Sequence, residues 1–147
     1  MTTEPPQLPV PLAAGGLYSP VVVHAGIAYV SGQLPRLNNE VQFGGRVGRD
    51  IDLATAQAAA ELCALQCLSA LEKALGSLDR VERLLKITGY VACIENFTQQ
   101  PIVIDAASAI FLKMLGERGA HARAAVGVAA LPRGACVEVE LMAAVRP

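Results

Sequence analysis

The sequence predicts an α+β domain with the element order ββαβαββ, in which two helices cover one mixed β-sheet. Five segments show the alternation of apolar and polar residues that is typical of strands, and two carry apolar residues at helical spacing. A length of 147 residues without an internal linker or repeat fits one domain. We therefore predict a single domain over residues 1–147, which begins with a loose, proline-rich arm over about residues 1–15.

The first half of the chain predicts a β-hairpin followed by a long helix. Val21 to Val23 and Ile27 to Gln33 read as strands that are joined by a tight turn. Gly44 to Gly48 lacks the ending of a phosphate-binding loop and is interpreted as a loop or irregular strand. Asp52 can cap a helix whose apolar residues recur every three or four positions until Gly76, which can end it.

The second half predicts a strand, a helix and two further strands. Residues Val81 to Ile94 alternate, which predicts a long strand whose odd-numbered positions face the core. Pro101 suits the first turn of a second helix, which continues to Gly116. Ala122 to Ala129 and Cys136 to Val145 predict the last two strands.

The composition argues against several classes of protein. Twelve Lys and Arg residues balance thirteen Asp and Glu residues, and aromatic residues are only 4% of the chain, without tryptophan. Both features argue against a nucleic-acid partner. No segment is apolar enough to span a bilayer, and the first residues lack the pattern of a secretory signal. We therefore expect a cytoplasmic protein without a membrane partner.

The cysteines do not have the paired spacing of a zinc site. They stand in apolar surroundings at Cys63, Cys67, Cys93 and Cys136. We interpret them as small buried hydrophobic residues. With only two histidines in the chain, the sequence indicates neither a metal site nor a cofactor.

Charged residues on the last two strands predict a binding site. Odd positions of the last strand are apolar and its even positions include Glu138 and Glu140, whereas Arg123 stands among the odd positions of the preceding strand. If these strands pair as an antiparallel hairpin, the three charges share the face away from the helices, above small residues that leave room for a ligand. The alternative is that Arg123 makes a surface or interface ion pair and the glutamates lie on a solvated face.

The same pairing separates Arg123 from Glu138 along the strands. About six residues, or ~20 Å of strand, would lie between them. One chain could not then bring both residues onto one small ligand. If both act on it, the site must lie between two subunits of a homo-oligomer.

Several short motifs lie at characteristic spacing from Tyr18 to Val145. They are Tyr18 itself, Ser31-Gly32-Gln33, His121-Ala122-Arg123, Leu131-Pro132 and Val137-Glu138-Val139-Glu140. Together they resemble the Rid family, also called the YjgF or L-PSP endoribonuclease-like family. The resemblance implies a chorismate-mutase-like fold and a homotrimer with clefts between subunits. In active members it also implies hydrolysis of reactive enamine or imine products of amino-acid metabolism.

The resemblance assigns a role to five residues. Arg123 would hold the substrate carboxylate through its two-pronged guanidinium group. Glu138 would orient or deprotonate the water that attacks the imine carbon. Tyr18 would line the cleft, where Ser31 and Gly32 would offer a hydroxyl and backbone N–H groups to the substrate.

Three departures from the family pattern indicate a divergent branch with a His-Ala-Arg motif. His121 replaces a typical proline, Pro101 stands where active members often carry asparagine, and Ala125 replaces a frequent cysteine. His121 would share the face of Arg123, which allows a place at the cleft edge, but a surface or interface position is favoured. A non-catalytic, carboxylate-binding or regulatory trimer is the second hypothesis for function, and endoribonuclease activity ranks last.

Overall fold

The chain forms the predicted order of elements with one small addition. The computed structural model describes residues 4–147. Its strands are β1 (Val21–His24), β2 (Ile27–Gln33), β3 (Arg36–Leu37), β4 (Glu40–Val41), β5 (Val81–Ala92), β6 (Ala122–Val128) and β7 (Val137–Val145), and its helices are α1 (Leu53–Leu75) and α2 (Gln100–Leu115). The addition is the small β3–β4 hairpin, which forms a two-stranded sheet of its own.

The main sheet is mixed, as predicted, but its last two strands are not neighbours. Its order is β1-β2-β7-β5-β6, with β5 and β6 parallel and the other pairs antiparallel. The expected hairpin of the last two strands is therefore wrong. Helix α2 connects β5 to β6, and a strand-helix-strand connection makes those two strands parallel neighbours. Residues 129–136 then carry the chain past the end of β5, where Gly44 forms a bridge with Ala135.

The two faces of strand β6 are also exchanged relative to the prediction, since its odd-numbered residues, not its even-numbered ones, face the helices. Arg123 pairs with Ile87 and Gly127 pairs with Val91 on β5, and paired residues point to the same side of a sheet. Ile87 and Val91 are fully buried under the helices. Arg123 and Gly127 therefore face the helix layer, and the even-numbered residues, including Val126, face the open side.

Helix α1 begins and ends as the sequence predicts. The Asp52 carboxylate accepts a hydrogen bond of 2.8 Å from the Thr55 backbone N–H. Gly76 adopts the left-handed conformation (φ 85°), and its N–H donates to the Glu72 carbonyl over 2.8 Å. Alanines fill the buried face of the helix, which lets it approach the sheet closely.

The prediction for the cysteines is confirmed, since all four are buried and free. Cys63 and Cys67 lie between α1 and β7, with Sγ atoms 3.6 and 3.4 Å from the Val137 and Val139 carbonyl oxygens. Burial raises the pKa of the Cys63 and Cys67 thiols. Both therefore behave as small apolar groups, not as reactive thiolates.

Strand β5 has two register shifts that the sequence did not indicate. They lie between Val81 and Arg83 and between Leu84 and Lys86 in the pairing with β7. As a result Leu84, not Leu85, is fully buried, and the regular alternation with buried odd positions begins only at Ile87. Further along, Gly89 lets α2 pack closely, because a side chain there would collide with Ile104.

Residues 4–20 form no helix or strand, yet part of this arm packs on the domain. The Ser69 hydroxyl of α1 donates a 2.6 Å hydrogen bond to the Pro9 carbonyl, and Leu8 packs against the core. Neither helix within residues 4–147 is long and apolar enough to cross a membrane.

Candidate functional site

Arg123 lies on the edge strand β6 and is fixed in place by α2. Its Nη1 group donates to the Asp105 carboxylate (2.7 Å) and to the Ser108 hydroxyl (3.1 Å). Its Nη2 group donates to the Pro101 carbonyl over 3.4 Å. The Nε–H group has no hydrogen-bond partner within residues 4–147, and 23% of the side chain is exposed. One edge of a positioned guanidinium group therefore remains available to a carboxylate.

His121 supports this arrangement from the same face. Its Nδ1 atom lies 2.6 Å from the Gly119 carbonyl oxygen, and its Nε2 atom lies 2.9 Å from the Ser108 hydroxyl. A carbonyl oxygen only accepts, so in the neutral ring the proton is on Nδ1 and Nε2 accepts from Ser108. The Ser108 oxygen in turn accepts from Arg123. The predicted common face of His121 and Arg123 is confirmed, and Ser108 connects the two residues.

Glu138 lies on β7, on the open face of the sheet. It pairs across the sheet with Tyr90, whose hydroxyl donates to the neighbouring Glu140 over 2.5 Å. The Glu138 carboxyl makes no hydrogen bond to any described residue. Partial burial, and then the nearby charge of Glu140, raise the pKa of Glu138 above its ordinary value. A carboxylate with a raised pKa is a stronger base than an exposed one.

The hydrogen bond to Glu140 also changes the acidity of Tyr90. That bond, together with burial, raises the pKa of Tyr90 to about 12. The phenol therefore stays protonated at neutral pH and holds Glu140 as its acceptor. Of the two glutamates, Glu138 is the one whose carboxyl is left for a ligand or water.

Among the predicted cleft residues Tyr18, Ser31 and Gly32, it is Gly32 that contacts Glu138. A Cβ atom on Gly32 would come within 2.9 Å of the Glu138 Cδ and Oε1 atoms, so the carboxyl rests directly on this glycine. The Ser31 hydroxyl donates to the Ser19 carbonyl over 2.7 Å and so fastens the segment that carries Tyr18. Tyr18 itself is 53% exposed and hydrogen-bonds within its own segment. We call Glu138 and Gly32, together with the adjoining Ser31, the Glu138 group.

A single chain keeps Arg123 and the Glu138 group apart. The β6–β5–β7 register aligns Glu138 with Tyr90 and Val126, three positions beyond Arg123. Two strand spacings and three residues along the strand place the two α-carbons ~14 Å apart. The two side chains also point to opposite faces of the sheet. The expected common face of Arg123 and Glu138 is therefore wrong, because β5 lies between their strands and β6 is turned the other way.

Two residues at the site, Asp105 and Ser108, were missed by the sequence analysis. They stand three positions apart on α2 and so share one side of the helix. The three-residue spacing of Asp105 and Ser108 was visible in the sequence. It indicated no site, because the sequence did not show that Arg123 faces this side of α2.

The fold and the site define a small α+β protein with a basic anchor and a separate carboxyl group, and the comparisons with known proteins identify its family. Residues 3–145 match the family described as "YjgF/chorismate_mutase-like, putative endoribonuclease". The chain therefore belongs to the YjgF/chorismate-mutase-like family, which confirms the resemblance predicted from the motifs.

Relatives and solved structures agree with this assignment. Protein TCP17 of Trypanosoma cruzi is 42% identical over 137 residues, which cover 92% of this chain and 86% of that protein. The crystal structure of Atu1372, a protein of unknown function from Agrobacterium tumefaciens, is 44% identical with a TM-score of 0.87, over 88% of this chain and 83% of the other. RidA from the Antarctic bacterium Psychrobacter sp. PAMC 21119 is 30% identical with a TM-score of 0.66, over 92% and 94% of the two chains.

Proposed function

We propose that this protein hydrolyses reactive enamine or imine acids to 2-oxo acids and ammonia, at clefts between the subunits of a homotrimer. One observation carries the proposal. Each chain holds a positioned guanidinium group at the edge of its sheet and an unpaired, half-buried carboxyl on the open face. Hydrolysis of an imino acid requires both groups, one for the substrate carboxylate and one for the attacking water.

The open face of the sheet supports assembly. The helices cover one side, and the other side leaves large apolar residues partly exposed: Val22 at 52%, Tyr29 at 43% and Val126 at 42%. A sheet face of this kind is normally covered by another layer, and β6 also leaves one edge unpaired. Packing against neighbouring copies would cover both surfaces. It would also bring Arg123 of one chain to the Glu138 group of the next.

The chemistry follows from these two residues. Arg123 binds the substrate carboxylate through its Nε–H and Nη2–H groups, while an enamine first gains a proton at carbon and loses one from nitrogen to become the imine. Water attacks the imine carbon and gives one proton to Glu138, which delivers it to the imine nitrogen and leaves a carbinolamine. Glu138 then takes the hydroxyl proton and returns it to the amine nitrogen as the C–N bond breaks, so that ammonia leaves and the 2-oxo acid remains. The sum is one imine and one water converted to one 2-oxo acid and one ammonia.

The test is to generate 2-iminopropanoate with an amino-acid oxidase and to trap the remaining imine with semicarbazide. We expect wild-type protein to speed the loss of imine, and Arg123→Ala and Glu138→Gln each to reduce that acceleration about a hundred-fold or more. Arg49→Ala is the matched control, since Arg49 is an exposed arginine that pairs only with Asp50. A wild-type protein that gives no acceleration would overturn the proposal.

A non-catalytic, carboxylate-binding trimer is the second candidate. One observation favours it: Pro101 offers only its backbone carbonyl at the start of α2, so this position gives the substrate no polar side chain. Calorimetric binding of pyruvate that depends on Arg123, without imine turnover, would favour this candidate. Endoribonuclease activity fits less well, because the net charge is −1 and aromatic residues are scarce.

A further inference from the structure

Arg36, at the start of β3, is a buried cation without an anion. Only 7% of the residue is exposed, and its Nε atom is buried without a hydrogen-bond partner in the described part of the chain. Nη1 donates to the Asn39 side-chain oxygen over 3.0 Å, and Nη2 lies 3.5 Å from the Ala13 carbonyl oxygen. No carboxylate among residues 4–147 pairs with this guanidinium group. A buried charge is costly unless an opposite charge accompanies it.

Arg133 converges on the same asparagine from another loop. Its Nη2 group donates to the Asn39 carbonyl over 2.7 Å, and its Nη1 group lies 3.5 Å from the Asn39 side-chain oxygen. It has no carboxylate partner among the described residues either. The guanidinium groups of Arg36 and Arg133 therefore both bond to Asn39, which is neutral. Without an anion, the two positive charges repel each other.

The two loops that meet at this point each contain left-handed residues. Arg133 has a left-handed conformation (φ 59°), which a non-glycine residue adopts at a cost. Asn38 (φ 49°) and Asn39 (φ 65°) form the two-residue turn of the β3–β4 hairpin, where this conformation is ordinary for asparagine. The hairpin turn therefore presents Asn39 to both guanidinium groups.

A cavity of about 530 Å³ lies beside these groups. It is lined by Arg36, Asn39 and Arg133, and by the arm segment from Pro11 to Gly15. No acidic side chain is among these lining residues. The volume falls within the ~300–1,000 Å³ of small-molecule sites, and the polar lining consists of two guanidinium groups, the Asn39 amide and backbone groups.

We propose that this cavity binds a small oxyanion that carries about two negative charges, either a phosphate or a dicarboxylate. Guanidinium groups recognise both through paired N–H donors, and two such groups balance a doubly charged ligand. Neither Arg123 nor Glu138 lines this cavity. The proposed anion site can therefore be tested independently of the proposed hydrolysis.

The test is calorimetric titration with inorganic phosphate and with succinate, at an ionic strength held constant with sodium chloride. We expect saturable binding of at least one anion, with one site per chain, and a loss of affinity of about ten-fold or more in Arg133→Gln. Arg133 is the informative position because it is exposed, so its replacement leaves the core intact. Arg36→Gln should abolish binding, with circular dichroism to confirm that the variant folds.

Arg49→Gln is the matched control, because it removes an exposed arginine that does not line the cavity, and it should bind like wild type. The anion that binds more tightly identifies the ligand as a phosphate or a dicarboxylate. The proposal is overturned if neither anion binds saturably, or if Arg133→Gln binds with wild-type affinity.

Discussion

Gly32 lies directly beneath the Glu138 carboxyl, so Gly32→Ala tests whether the position of that carboxyl matters. The added Cβ would stand 2.9 Å from the Glu138 Cδ and Oε1 atoms, whereas ordinary contact begins at 3.4 Å. The carboxyl must therefore move by about 0.5 Å, the difference between those two distances. Misplacement by ~1 Å can cost about a hundred-fold in rate, so we expect kcat to fall about ten-fold.

Stability should change little in the same variant. The atoms that must move belong to the end of a flexible side chain, and alanine reduces the freedom of the unfolded chain. We expect the free energy of unfolding to stay within ~1 kcal/mol of wild type. Gly44→Ala is the matched control, since its nearest non-neighbouring atom would lie at 3.5 Å, and it should retain full activity.

The assay is the semicarbazide trap, run beside urea denaturation of each variant. The double variant Gly32→Ala/Glu138→Gln should be no slower than Glu138→Gln alone, because Gly32 acts only through that carboxyl. Full activity in Gly32→Ala, or additive losses in the double variant, would refute the role given to the position of Glu138.

Three further predictions concern acidity, packing and the tautomer of a histidine. Because the pKa of Glu138 is raised in the folded state, its ionisation opposes folding. Glu138→Gln should therefore unfold at higher urea than wild type at pH 7, and this gain should vanish below about pH 4, where the unfolded carboxyl is also protonated. Gly89→Ala should lose about 1–3 kcal/mol in urea denaturation, since its methyl group collides with Ile104; a neutral effect would contradict the close packing of α2. Nitrogen NMR at neutral pH should place the His121 proton on Nδ1, and a proton on Nε2 alone would contradict the link through Ser108.

Much of the fold could be predicted from local patterns. Asp52 and Gly76 marked the ends of α1 correctly, because capping depends on residues that are adjacent in sequence. The strands were found because buried and exposed positions alternate on β7. The family motifs pointed to Arg123 and Glu138, but not to Asp105 and Ser108, which hold Arg123 in place.

The orientation of β6 could not be predicted in the same way. Its residues are small on both faces, so Ala122, Ala124, Ala125 and Gly127 give no contrast between a core side and a solvent side. Strand pairing is also a long-range property. The sequence placed β6 next to β7, whereas the parallel connection through α2 places it next to β5. Because of these two errors, the sequence predicted Arg123 on the open face of the sheet, whereas it lies on the face that packs against the helices.

The proposed mechanism has Arg123 and Glu138 act on one substrate from two different chains. It is tested most directly by co-expressing Arg123→Ala and Glu138→Gln chains with different tags and isolating the mixed oligomers. A mixed trimer of either composition has one site of three that joins an intact Arg123 to an intact Glu138, so about a third of wild-type imine hydrolysis should return. Mixed oligomers as inactive as either parent would contradict a site shared between subunits.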